Sequence, residues 1–157
     1  MLRHFTAIPP GGSNTGGGNA LYSNTTGGYN TASGTNALYS NTTAFYNTAS
    51  GAGALYNNTS GSSNTASGLN ALYTNKIGSS NTASGQNALY NTTTGSNNVA
   101  LGLNAGINLT TGNNNIDIGA PGVAGESNKI RIGKQGTQNG TFIAGIAGVA
   151  VTGSPVV

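Results

Sequence analysis

Hydrophobic and polar positions in this chain recur at one fixed interval. The triplet Ala-Leu-Tyr returns every 17 residues, and glycine and asparagine keep the same frame through seven consecutive units. The triplet begins at Ala20, Ala37, Ala54, Ala71 and Ala88. A period near 20 residues is typical of a solenoid, in which each repeat is one small structural unit that stacks on the next.

Each unit predicts two short strands joined by a turn. In the second unit we expect strands at residues 31–33 and 37–39, a turn at 34–36 and a polar return loop at 40–45. Several glycines and few strong helix formers argue against helix. Gly34 and Asn36 are placed where the turn needs positive φ, which these residues accept at low cost. The sequence therefore predicts an all-β fold, a parallel β-solenoid with 17-residue coils about 4.8 Å apart.

Two asparagine columns run through the repeat. In a solenoid equivalent residues lie above one another, so stacked amides can hydrogen-bond along the axis and satisfy polar groups at the corners. The alternative is that these asparagines only mark solvated turns. The predicted ladder residues are Asn30, Asn47, Asn64, Asn81, Asn98 and Asn115 in one column, and Asn36, Asn70 and Asn87 in the other.

Substitutions between units predict which strand face is inside. The sixth unit carries Val99 and Leu101 where the second carries Thr31 and Ser33. Apolar residues at period two usually point into a core. We therefore expect the threonines and serines of the first strand to point inward, with their hydroxyls bonded to backbone.

The second predicted strand has apolar residues on both faces, since Ala37 and Tyr39 flank Leu38. A strand that is apolar on both sides is buried on both sides. One side can be the coil interior, and the other needs a partner copy of the chain. The predicted interface residues are Leu21, Leu38, Leu55, Leu72 and Leu89, with Tyr39, Tyr56, Tyr73 and Tyr90.

Composition and charge narrow the function classes. Charged residues are 4% of 157 and the net charge is +3, which is too little to indicate a nucleic-acid partner. There is no cysteine, hence no disulfide framework. The start, MLRHFTAIPPGG, lacks the apolar run of about 7 to 15 residues of a signal peptide. No segment is long and apolar enough to predict membrane insertion. Export by another route, such as virion release, and a true N-terminus further upstream both stay open.

Residues able to perform catalysis are few and scattered. His4 is the single histidine, and Asp117 and Glu126 are the two carboxylates. We place Asp117 in an outward strand position and Glu126 in a solvated loop, so neither a catalytic pair nor a metal site is predicted. We expect no enzyme activity and no cofactor.

One basic cluster stands near the end of the repeat. Lys129 and Arg131 alternate with Ile130 and Ile132, and Lys134 follows. This predicts one apolar and one basic strand face. The basic face can be a solvated surface that guards the last coil against edge growth, or a contact for an anion or acidic glycan.

Two late segments resemble a known family. NVALGLNAG, residues 98–106, and NNIDIGAPG, residues 114–122, are similar to the head repeats of YadA-like trimeric autotransporter adhesins, with their xVAIGxxA units. The NTASGxNALYxNTTG units look like a longer variant, so the resemblance covers about residues 13–133. It implies a left-handed β-roll in which three chains pack around a threefold axis.

The C-terminal segment, NKIRIGKQGTQNGTFIAGIAGVAVTGSPVV, resembles the region that precedes an intramolecular chaperone domain in bacterial and phage tail-fibre proteins. No such domain follows within this sequence. We divide the chain into an N-terminal extension at 1–12, a β-roll at 13–133 and a C-terminal junction segment at 134–157.

The predicted function is a structural fibre or adhesin shaft. The resemblance implies an extracellular, cell-surface or virion-associated homotrimer that can extend head to tail, with a host glycan or protein as partner. The alternative is an ice-binding β-solenoid, since the Thr-x-Ser triplets would form a regular hydroxyl array if they faced outward. The inward assignment made above argues against it.

Overall fold

The fold is a single stack of short parallel strands. A computed structural model describes residues 17–138, so the segments 1–16 and 139–157 lie outside the described residues. Seven three-residue strands form one sheet in the order of the chain. They are β1 (Thr31–Ser33), β2 (Thr48–Ser50), β3 (Thr65–Ser67), β4 (Thr82–Ser84), β5 (Val99–Leu101), β6 (Ile116–Ile118) and β7 (Ile130–Ile132).

The strand register confirms the β-solenoid. Thr31 pairs with Thr48, which pairs with Thr65, so each step along the axis is one 17-residue repeat. The last step is shorter, because Ile116 pairs with Ile130. Every strand pairs in parallel with the next one in sequence, which requires the chain to complete one circuit between strands.

The strand face that points inward is the opposite of the one predicted. The middle residue of each early strand is buried, as at Ala32 and Ala49, while Thr31 and Ser33 are exposed. The prediction that threonine and serine point inward is therefore wrong. The interior is narrow enough that the strands contribute alanine, and the leucines of the facing wall fill the remaining space.

The predicted second strand does not form. Residues 37–39 lie in a turn, and both Asn36 (φ 60°) and Leu38 (φ 51°) adopt left-handed backbone. The backbone still bonds between coils, since the Leu38 amide donates to the Ala54 carbonyl at 3.0 Å. A non-glycine residue at positive φ is strained, and here burial of the leucine side chain and the inter-coil hydrogen bond offset that strain.

The turn glycines are needed because the coils approach closely. Gly34 has φ 143°, and a Cβ added there would lie 2.6 Å from the carbonyl carbon of Gly51 in the next coil. Real Cβ atoms are not found at such distances from backbone. Gly34 and its equivalents in the following units therefore lie at a corner where the backbones of successive coils are in close contact. These equivalents are Gly51, Gly68 and Gly85.

Candidate functional site

The first asparagine column is a continuous ladder inside the solenoid. The Asn30 Oδ1 accepts hydrogen bonds from the Asn47 backbone amide at 3.0 Å and from the Asn47 Nδ2 at 3.1 Å. The same Nδ2 also donates to the Gly61 carbonyl at 3.0 Å. Comparable bonds join the other rungs, and all six residues are buried. The rungs are Asn30, Asn47, Asn64, Asn81, Asn98 and Asn115.

The second predicted asparagine column serves a different purpose. Asn36, Asn70 and Asn87 are partly exposed and adopt positive φ of 60°, 56° and 56°. Among the described residues, a side-chain bond in this column joins Asn87 to Asn104 at 3.1 Å. These asparagines are turn residues selected by backbone conformation, so their assignment to a continuous ladder is corrected.

A further asparagine ladder was missed by the sequence reasoning. In the return loops, Asn41 Nδ2 donates to Asn24 Oδ1 at 2.7 Å and Asn58 Nδ2 donates to Asn41 Oδ1 at 3.1 Å. Asn75 continues the series, donating to Asn58 at 2.8 Å. Thr92 and then Leu109 take the next two positions, and both are buried. The 17-residue spacing of Asn24, Asn41, Asn58 and Asn75 is the sequence feature that predicts this ladder.

The leucines and tyrosines of the repeat lie in different environments. Leu38, Leu55, Leu72 and Leu89 are 0% exposed within one chain, and Leu21 is partly buried against the same core. A leucine already enclosed by its own chain cannot cover a partner, so the predicted role of this column in an interface is corrected.

The tyrosines form a surface column. Their rings stack with centroids 5.0 to 5.2 Å apart and interplanar angles of 3° to 12°. The column contains Tyr22, Tyr39, Tyr56, Tyr73 and Tyr90. Burial raises the pKa of Tyr73, and the neighbouring phenols of Tyr56 and Tyr90 raise it further.

The outward side of the strands is a second surface, which we call the strand face. It consists of the first and third residues of β1 to β7. In β1 to β4 these are threonine and serine, and their hydroxyls have no hydrogen-bond partner within residues 17–138. In β5 to β7 they are Val, Leu and Ile. Leu101 is 38% exposed, Ile130 70% and Ile132 61%. The strand face thus changes from hydroxyl-bearing to apolar along the axis.

In the predicted basic cluster, Arg131 forms an ion pair and does not lie on the outward strand face. Arg131 occupies the inner position of β7, and its Nη1 pairs with the Glu126 Oε1. Glu126 is correspondingly shielded, with a side chain 12% exposed, so its assignment to a solvated loop is corrected. Lys129 and Lys134 remain exposed. Any contact with an anion or glycan would rest on these two lysines without Arg131.

Asp117 lies inside the solenoid, contrary to its predicted outward position. It is 0% exposed, and neither carboxyl oxygen has a hydrogen-bond partner. Its pKa is raised to about 6, chiefly by burial; Arg131 lowers the pKa and Glu126 raises it, both to a smaller extent than burial. Its neighbours in the strand register are Ala100 in β5 and Arg131 in β7.

The described part of the chain offers little else for chemistry. Residues 17–138 contain no group of three or more His, Asp or Glu side chains placed to hold a metal, and His4 lies outside them. A shallow groove beside the last coils is lined by uncharged residues, among them Thr74, Asn91 and Asn108. None of the described segments forms a helix with the length and hydropathy required to span a bilayer.

Comparison with protein-family models, with curated proteins and with solved structures finds no match. The resemblance to adhesin and tail-fibre repeats therefore rests on the sequence motifs alone.

Proposed function

We propose that this chain is a segment of a non-catalytic structural rod that self-associates through its strand face. The observation that supports this most directly is the exposed apolar end of that face. Leu101, Ile118, Ile130 and Ile132 point away from the core on successive strands. Contiguous exposed apolar residues on one face are typical of protein interaction sites.

The repeat architecture supports the same proposal. The interior of each early coil contains small alanines and one leucine, so a single chain buries little apolar surface for each ordered residue. Association of copies along the axis would bury further surface on every coil. Because the strand face is polar at one end and apolar at the other, parallel copies match apolar with apolar and hydroxyl with hydroxyl.

The number of copies and the setting come from the resemblance. A homotrimer around a threefold axis is the arrangement implied by adhesin-like head repeats. Head-to-tail extension would pair the outer strands of the described sheet, β1 and β7, with strands of neighbouring copies. On this proposal the protein is extracellular, cell-surface or virion-associated, and contacts with host glycans or proteins are made by the assembled rod.

Measurement of molar mass tests the proposal. The full chain at micromolar concentration, examined by light scattering, is expected to have three times the chain mass. The double substitution Ile118→Lys, Ile132→Lys should reduce it to one chain with the β-sheet signal retained. Ile77→Lys is the matched control, because Ile77 is 56% exposed on a return loop.

A second pair of substitutions separates the two surfaces. Tyr56→Ser with Tyr73→Ser alters the tyrosine column and should leave the mass unchanged. A stable monomeric wild-type chain would refute self-association. If only the tyrosine variant has a reduced molar mass, the interface lies at the tyrosine column and not at the strand face.

Ice binding is a second candidate, favoured by the outward hydroxyls. Thr31, Thr48, Thr65 and Thr82 form one row on the strand face, and four serines form a parallel row. Strand spacing repeats these hydroxyls about every 4.8 Å along the axis, and such a regular array of hydroxyls is what ice binding would require.

Thermal hysteresis decides this candidate. If the strand face binds ice, hysteresis should be measurable at micromolar protein and should be lost in Thr48→Leu, Thr65→Leu. The control is Thr43→Leu, an exposed threonine on a return loop. The two functions use the same face, so a trimer without hysteresis supports the rod and an active monomer supports ice binding.

A further inference from the structure

Asp117 ends a run of alanines in the inner column of the solenoid. The middle residues of the preceding five strands are all alanine and all buried. They are Ala32, Ala49, Ala66, Ala83 and Ala100. Asp117 takes the same position in β6 and is equally buried, which puts a titratable group in the interior of the solenoid.

The surroundings of Asp117 are shaped to accept its carboxyl group. The leucine column ends at Leu89, and Gly106 occupies the next position, as its inter-coil bond to the Ala120 carbonyl at 2.8 Å shows. A Cβ added to Gly106 would lie 3.5 Å from Asp117 Oδ2, and one added to Gly122 would lie 2.9 Å from it. Leu109 packs against Gly122 and fills the rest of the space. Two missing side chains therefore leave room for one carboxyl.

The charges that face this carboxyl do not neutralise it. From β5 it faces Ala100, which is uncharged, and from β7 it faces Arg131 in direct register. Arg131 is already paired with Glu126, which comes from the loop between β6 and β7. The segment from Gly106 to Leu109 contributes no titratable group. An ionised Asp117 would be an unpaired charge in an apolar interior, unless Arg131 left Glu126.

We propose that Asp117 is a protonation-controlled latch between β6 and β7. The neutral carboxyl packs in the interior and holds β6 and β7 together. Loss of its proton puts a charge there, and the pairing between β6 and β7 opens. The raised pKa of Asp117, about 6, places the midpoint of this transition near pH 6.

Hydrogen exchange in the full chain tests the latch. The reporting amides are Ile116, bonded to the Lys129 carbonyl at 2.8 Å, and Gly133, bonded to the Ile118 carbonyl at 2.7 Å. The internal reference is Thr65, bonded to the Asn81 carbonyl at 2.8 Å. After correction for intrinsic exchange, the protection of the reporting amides relative to Thr65 should fall about tenfold or more between pH 5 and pH 8.

Two variants make the test specific. Asp117→Asn keeps the shape and cannot ionise, and Asp117→Ala introduces the residue found at this position in the five preceding strands. Both should keep the relative protection of Ile116 and Gly133 constant from pH 5 to pH 8. A pH-independent wild type would overturn the proposal, and so would an equal pH dependence in either folded variant.

Discussion

At the residue scale, asparagine has two distinct uses in this protein. Asn64 lies inside, where its amide both accepts from and donates to neighbouring coils. Asn70 lies in a turn at φ 56°, where its backbone conformation is what matters. The 17-residue spacing predicted that both columns exist. It could not separate them, because asparagine is favoured both in ladders and at left-handed turn positions.

The two uses predict different mutational costs. Asn64→Ala should lower the free energy of unfolding by about 1 to 3 kcal/mol, because it leaves buried partners in two coils unsatisfied. Asn70→Gly should change it little, since glycine accepts positive φ and Gly53 already occupies the equivalent position. Chemical denaturation of both variants gives the comparison, and equal losses would contradict the assignment of Asn64 to a ladder.

The titration of Asp117 predicts how global stability depends on pH. Its pKa is raised to about 6 in the folded chain, from 3.8 for an ordinary aspartate. The folded state therefore binds the proton more tightly, so the stabilisation is complete below pH 3.8 and is lost as pH rises through 6. Wild-type unfolding free energy should fall across this window relative to that of Asp117→Asn. A wild type that gains stability over the same window, relative to the variant, would show that the sign is wrong.

At the element scale, the sequence predicted the first strand and the turn but assigned the strand's faces the wrong way round. The source of the error is the pair Val99 and Leu101, which are apolar at period two, a pattern typical of residues that point into a core. The residue between them, Ala100, is the buried one. Alternation fixes which residues share a face but not which face is inside. In a narrow coil the inner side chain must be small, so alanine was the better indicator.

Enlarging each face separately checks the corrected assignment. Ala66→Leu should lower the free energy of unfolding by about 1 to 3 kcal/mol, because Ala66 is 0% exposed and a larger side chain would overpack the interior. Thr65→Leu, on the exposed strand face, should cost well under 1 kcal/mol. Thermal unfolding of the pair provides the measurement, and the reverse order of costs would restore the sequence-based orientation.

At the scale of the whole molecule, period alone was enough to predict a parallel solenoid with one coil per repeat. The site was predicted less well, since surface columns depend on which face is outside and on conformations such as that of Leu38. Leucine is rare at positive φ, so the pattern favoured a strand at residues 37–39. The copy number depends on contacts between chains, which the repeat pattern does not contain.

Deletion of whole coils tests the repeat frame. Removing residues 64–80 takes out one complete unit and brings matching units together, so a shorter folded rod is expected. Removing residues 64–71 shifts every later column out of register and should abolish cooperative unfolding. Circular dichroism with thermal melting distinguishes the two, and equal damage from both deletions would mean that the 17-residue unit is not the structural coil.

The tyrosine column has an optical consequence. Five phenol rings lie almost parallel at near-equal separations, so their electronic transitions have a fixed mutual orientation. Transitions held in this way couple and share excitation along the row. We therefore expect the near-ultraviolet ellipticity and the tyrosine emission of the protein to depend on how many tyrosine-bearing coils are stacked in register. If a tyrosine-bearing coil unfolds or shifts out of register, fewer rings remain stacked and both signals should change. These signals therefore measure the integrity of the stack without an added label.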